Sequence, residues 1–192
     1  MVEPLYQYLY HHTNLSRERF DAMRPYLEIR HFGKNVTLAE TGEVDNYVNF
    51  VTEGLVRKFF YRGSEEVITQ LAKEFELVCS SVSFLSGQPS TYIVETIEPT
   101  TTISISRENM GRIYAIGTDM ERMGRLVITE WLLQKEYWVN DRTTLNPRAR
   151  FIKFMDENAD LIKRVPQKFL ASYLNMKPET FSRYKHLLST PL

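Results

Sequence analysis

Between Gln167 and Leu188 the chain carries a helical rhythm that breaks once and resumes: Gln167-Lys-Phe-Leu-Ala-Ser-Tyr-Leu-Asn-Met-Lys-Pro-Glu-Thr-Phe-Ser-Arg-Tyr-Lys-His-Leu-Leu188. Phe169, Leu170, Tyr173 and Leu174 recur at helical spacing. Asn175 tolerates the left-handed backbone that ends a helix sharply. Pro178 then stands where a first helical residue needs no N–H. The second helix turns Phe181 and Leu188 inward and leaves Thr180, Ser182, Arg183 and Lys185 free. Two short helices at a fixed angle are the expected outcome. Such a helix-turn-helix places its second helix in a DNA major groove. An ordinary helical hairpin closing a globular domain would show the same pattern.

Upstream the pattern differs. Residues 3–12 and 15–27 read as short helices, the second capped by Asn14 or Ser16. From Glu28 to about Ser106, runs such as Tyr47–Thr52, Leu55–Tyr61 and Tyr92–Ile97 are β-branched and aromatic. Turn signals at Thr41-Gly42, Glu53-Gly54, Arg62-Gly63-Ser64, Ser86-Gly87-Gln-Pro89 and Glu98-Pro99 separate them. Short strands with regular turns predict an antiparallel roll, barrel or jelly-roll sandwich. The fold class is therefore α+β.

A single helix is expected from about Asp119 to Asp141, about 35 Å long. Met120, Met123, Val127, Trp131, Gln134 and Trp138 form one stripe, and Leu126, Leu133 and Tyr137 a second. A helix apolar on two sides must bury two surfaces. One would lie on the strand domain and the other on a second subunit, with Met120, Met123, Val127, Trp131 and Trp138 as the candidate dimer interface. A helix packed wholly within one chain is the alternative. Asn146 and Pro147 can cap and start the next helix, 147–157, with Phe151, Ile152 and Met155 as its core face. The expected organisation is 1–118, a β-roll domain with N-terminal helices; 119–145, a dimerisation helix and hinge; and 146–192, a helix-turn-helix domain.

Formal net charge is zero, yet its distribution is uneven. Residues 147–192 hold nine Lys/Arg against four Asp/Glu, leaving an acidic remainder. Phosphate binding needs local rather than global positive charge. No apolar run reaches the roughly 18 residues of a membrane span, so no membrane partner is expected. Met1-Val-Glu-Pro-Leu lacks a basic region followed by an apolar stretch, so no signal peptide is expected. With Cys79 as the one cysteine, an internal disulfide is excluded. A cytoplasmic protein is the expectation. Phosphate-loop, dinucleotide, nucleophile-elbow and zincin motifs are all missing, so an enzyme is not expected. His11 and His12, about 100° apart on a helix, cannot clasp one metal, and no metal site is expected.

Two segments carry a resemblance. Ala171-Ser-Tyr-Leu-Asn-Met-Lys-Pro-Glu-Thr-Phe-Ser-Arg183 resembles the A-x-x-L-G-x-x-x-E-T-x-S-R recognition motif of the Crp/Fnr transcription regulators. Ala39-Glu-Thr-Gly-Glu-Val-Asp-Asn-Tyr-Val-Asn-Phe-Val-Thr-Glu-Gly-Leu-Val-Arg57 resembles that family's sensor domain, where a Gly-Glu turn precedes an aromatic strand and Gly-x-Val/Leu-Arg. The resemblance implies a β-roll sensor like a cyclic nucleotide-binding domain, a dimer helix and a DNA-reading domain. The partners it implies are double-stranded DNA at a palindromic site, a second copy of the chain, and RNA polymerase. Its residue roles are Arg183 for guanine, Glu179 for cytosine and Ser182 for an adaptable base or phosphate contact. Lys168, Lys177, Thr180 and Lys185 would hold phosphates. A plain Glu179–Arg183 pair on a solvated helix face is the alternative.

Departures from the family pattern matter as well. Glu76, Leu77, Ser90 and Thr91 are the candidate effector-pocket residues. Where nucleotide-binding relatives have a phosphate-holding Arg this chain has Pro89, and Val78 replaces a glycine, so no cyclic nucleotide or other cofactor is expected. After the second helix only Ser189-Thr-Pro-Leu192 follows, so no wing of paired strands is expected. A sensing or interaction module that does not read DNA is the competing function.

Overall fold

The structure, a computed structural model, describes residues 1–189, and side chains to His186. The expected absence of a wing bears on Thr190–Leu192, and the inward turn of Leu188 on its side chain. Both lie outside what is described.

Helix α1 (Glu3–Thr13) ends at Asn14, which adopts the left-handed conformation, and α2 (Arg17–Met23) starts from Ser16, whose hydroxyl accepts the Arg19 N–H. Of the two expected caps, Ser16 therefore opens the second helix while Asn14 closes the first. A 3₁₀ turn (Arg24–Tyr26) leads into eight strands: β1 (Glu28–Phe32), β2 (Thr37–Ala39), β3 (Tyr47–Glu53), β4 (Val56–Arg62), β5 (Glu65–Ala72), β6 (Leu77–Val78), β7 (Ile93–Thr96) and β8 (Thr100–Ser106). They form two four-stranded sheets, ordered β1-β8-β3-β6 and β2-β7-β4-β5, with antiparallel pairing along their ladders. This is the expected roll. Two helices come in addition, α3 (Ser81–Ser86) and α4 (Arg107–Tyr114), followed by α5 (Thr118–Thr144), α6 (Pro147–Glu157), α7 (Leu161–Arg164), α8 (Gln167–Tyr173) and α9 (Pro178–Ser189). Cys79 lies just past β6 and is buried.

The chain divides into two compact units, residues 1–60 with 70–132, and residues 61–69 with 133–192. The division falls inside α5. In the first unit strand alternation assigns each residue a face. Val51, Val56, Val78 and Val94 pack together between the sheets. Phe50 and Ile103 point the other way and meet Leu5, Leu9, Phe20, Met23, Ile113, Met120 and Met123 from the helices. Each such fully buried Phe or Leu is worth about 2–3 kcal/mol in removal from water. Gly54, in the β3–β4 turn, has φ +99, and a Cβ there would lie 2.5 Å from the Pro99 carbonyl oxygen. The Gly of the Gly-Leu-Val-Arg motif is thus required by backbone contact.

Helix α5 carries the stripe expected at the dimer surface. Met120 and Met123 are buried in their own chain's core, Val127 packs against the same cluster, and Trp131 packs against Val48, Cys79 and Phe84. Trp138 stacks on Tyr173 within the second unit. Of the stripe expected to face a second subunit, the chain buries Met120 and Met123 and leaves Val127, Trp131 and Trp138 half-buried. The exposed apolar residues of α5 are Ile128, Leu132, Leu133, Tyr137 and Val139. Ile128 and Leu132, four apart, share one side of the helix.

The second unit is built on Phe151, Phe154, Leu161, Val165, Leu170, Ala171, Leu174 and Phe181, all buried. Asn146 caps α6 through its side chain, and Pro147 is its first residue. The expected core face of α6 needs correction: Ile152 is exposed, while Arg150 is buried beside Phe151 and Phe154. The Arg150 guanidinium donates to the carbonyls of Arg142 (2.9 Å), Leu145 (2.8 Å), Leu174 (2.7 Å) and Asn175 (3.3 Å). These are the orphan acceptors at the ends of α5 and α8. The tip of the β4–β5 hairpin belongs to this unit, where the Ser172 hydroxyl accepts the Ile68 N–H (3.0 Å) and donates to the Glu66 carbonyl (2.8 Å).

Candidate nucleic-acid interface

The junction between α8 and α9 is closed by its own backbone. Asn175 has φ 50, its N–H donates to the Ser172 carbonyl, and the Met176 N–H donates to the Ala171 carbonyl. This pair of bonds is the Schellman arrangement, here with Asn in the left-handed position. The Phe181 N–H donates to the Lys177 carbonyl, so Lys177 caps α9 and Pro178 opens it. Phe181 anchors the helix, its ring edge-on to Phe151 at 5.1 Å, and Tyr184 packs on Phe151 at 5.6 Å. Because α9 is pinned by Phe181 and Tyr184, its other face is turned outward.

That outward face holds the expected residues. Lys177, Glu179, Arg183 and Lys185 are exposed, and Thr180 and Ser182 are half-buried. On α8, Lys168 is exposed, its ammonium 4.8 Å from the Phe169 ring. The Arg183 guanidinium lies over Tyr184 at 5.5 Å and forms no ion pair with Glu179, so the alternative of a simple surface pair is not what the structure has. A planar guanidinium with no ion pair among the described residues can take a guanine edge or a phosphate through two parallel bonds. Arg150, one of the nine cations of the basic segment, is turned into the core and adds nothing to this surface. Its burial was legible in part: Arg150 and Phe154, four apart, share a helix face with Phe151.

The four candidate effector residues do not converge. Leu77 packs on the helix-covered side of its sheet. Glu76 accepts the Lys73 N–H in a turn, and Thr91 is exposed. The Ser90 hydroxyl bonds Ser80 and the backbone of Tyr92. Pro89 is exposed, and Val78 is buried between the sheets. Nearby, Asp45 accepts the N–H groups of Ser80 (2.7 Å) and Tyr47 (3.1 Å), while burial raises its pKa. The Lys58 ammonium donates to the Cys79 carbonyl at 3.3 Å. Of these bonds Ser90–Ser80 joins two side chains, and the others join a side chain to backbone. Among the described residues no three His, Cys, Asp or Glu side chains gather as a metal site, and no helix is long and apolar enough to cross a membrane.

No family model and no curated protein matches the chain by sequence. Solved structures match it by shape. The structure of FixK2 from Bradyrhizobium japonicum has a TM-score of 0.72 at 17% identity, covering 85% of this chain and 84% of that one. The c-di-GMP-responsive global regulator CLP of Xanthomonas campestris has a TM-score of 0.67 at 16% identity, covering 90% and 89%. The catabolite activator protein of Thermus thermophilus has a TM-score of 0.58 at 19% identity, covering 95% and 86%. The chain therefore has the fold of Crp/Fnr regulators, as its two motifs implied.

Proposed function

We propose that this chain is a DNA-binding transcription regulator of the Crp/Fnr type, reading a palindromic site as a homodimer. The observation that carries the reading is the helix-turn-helix itself. Beside a Schellman turn and the Phe181 anchor, Lys177, Glu179, Arg183 and Lys185 are exposed and Ser182 half-buried, with Lys168 exposed on α8. The shared fold supports it, since proteins of this shape include an activator and a global regulator by name. A dimer would set two recognition helices about one DNA turn, roughly 34 Å, apart. The face for the second copy lies on α5, where the chain leaves Ile128 and Leu132 uncovered. Control by a small effector, contact with RNA polymerase and a cytoplasmic location belong to the same proposal.

Selection from random duplex pools, with gel shifts repeated at rising salt, tests the reading. A regulator enriches a palindrome. Arg183→Ala then weakens the enriched site by roughly 1–3 kcal/mol and random DNA little. Lys168→Ala weakens both alike and flattens the salt slope by about one unit. Pools that stay unenriched would instead favour a sensing or interaction module.

A further inference from the structure

A cleft opens inside the second unit, between the end of α5, α6 and α8. It encloses about 70 Å³ and is walled by Trp138, Tyr173 and Phe154 with Leu145 and Leu174. Trp138 and Tyr173 stack at 5.4 Å, and Tyr173 meets Phe154 at 5.8 Å. Three cations line it: Arg142, Arg150 and Lys153. Two carboxylates, Asp141 and Glu157, line it too, and Lys153 answers both, bonding Asp141 at 2.6 Å and attracted by Glu157. Arg150 directs its N–H groups to four backbone carbonyls.

Arg142 is what remains. Its guanidinium is half-buried, lies over Trp138 at 4.8 Å, and makes no hydrogen bond or ion pair among the described residues. Burial first, and then the neighbouring Arg150, disfavour its charge and lower its pKa. A guanidinium stacked on a ring keeps its donor edges open, and those edges match a planar carboxylate. An unanswered cation between aromatic walls is a common way to orient a small amphipathic anion.

We propose that this cleft binds an aromatic monocarboxylate, with the carboxylate on the donor edge of Arg142 and the ring against Tyr173 and Phe154. The enclosed volume takes the carboxylate and part of the ring, the rest staying in solvent. Arg150 joins the cleft to the carbonyls of Leu174 and Asn175, which form the turn before the recognition helix. Occupancy of the site is independent of whether the protein reads DNA.

The experiment uses the full chain carrying Trp131→Phe, which leaves Trp138 as the one indole. Its ¹⁵N–¹H signal is titrated with benzoate, benzyl alcohol and inorganic phosphate. Benzoate should shift it saturably, with benzyl alcohol and phosphate each at least about tenfold weaker. Arg142→Gln should weaken benzoate about tenfold or more and leave benzyl alcohol unchanged, and Arg142→Lys should recover only part of the loss. The comparison of benzoate with benzyl alcohol keeps Arg142 in place, so it stands even if Arg142→Gln does not fold. No saturable shift up to about 10 mM benzoate, a concentration that would reveal even millimolar binding, overturns the proposal. Equal binding of phosphate overturns the ligand class, and an unchanged affinity in folded Arg142→Gln overturns the assignment of Arg142.

Discussion

Replacing Arg150 with Met should destabilise the second unit by about 3–5 kcal/mol. Met keeps much of the aliphatic stem and its packing beside Phe151 and Phe154, so the loss isolates the guanidinium. Three of its four bonds are short, at 2.7, 2.8 and 2.9 Å, and the fourth, to Asn175, is 3.3 Å and weak. Bonds from a charged donor to carbonyls are worth about 1.5–3 kcal/mol each. Part of that returns when water reaches acceptors at the partly exposed helix ends, so about 1–1.5 kcal/mol for each of the three short bonds is the reasoned figure. The assay is urea unfolding in a Trp131→Phe background, followed by far-UV circular dichroism and by the fluorescence of Trp138, the second unit's tryptophan. Arg150→Lys should lose about half as much, since one ammonium cannot serve acceptors on two helix ends. A cost below about 1 kcal/mol for Arg150→Met would refute the reasoning, because the carbonyls would then be as well served by water as by the guanidinium.

Ile128→Glu with Leu132→Glu should give a stable monomer by sedimentation, since both side chains are exposed in the single chain and a charged seam resists burial; a wild type already monomeric at micromolar concentration would remove the dimer from the proposal. Gly54→Ala should cost about 3 kcal/mol or more in thermal unfolding, given a left-handed φ and a 2.5 Å approach to the Pro99 carbonyl oxygen. Burial, with smaller effects from Glu130 and Glu76, pushes the Tyr8 phenol up to about 12. Folded protein thus holds that proton longer than the unfolded chain, so its share of stability is complete below about pH 10 and is lost as pH rises to about 12; Tyr8→Phe should flatten that alkaline limb. Cys79 is fully buried and burial raises its pKa, so a thiol reagent at neutral pH should label it only on unfolding.

Local chemistry was enough for much of this molecule. Asn175 and Pro178 wrote the turn of the helix-turn-helix into adjacent residues, because a left-handed helix exit and a missing N–H are properties of single residues. Turn signals and β-branched runs likewise marked the roll, and Phe181 was legible as the anchor of α9. The short helices α3 and α4 were not, since neither sustains enough periodicity to stand out from the strands beside them. For α5 the periodicity gave the helix and its apolar stripes. It could not say that Met120 and Met123 would be taken up by Leu5, Leu9, Phe20 and Ile113, leaving Ile128, Leu132 and Val139 uncovered. Arg150 shows the same division. Its side chain is a surface residue by type, and only the meeting of two helix ends, with four carbonyls in reach of its guanidinium, made the interior its place. What a residue prefers along the chain is intrinsic to it. Which face is covered, and which charge is answered, depends on segments distant in sequence, and only their packing decides that.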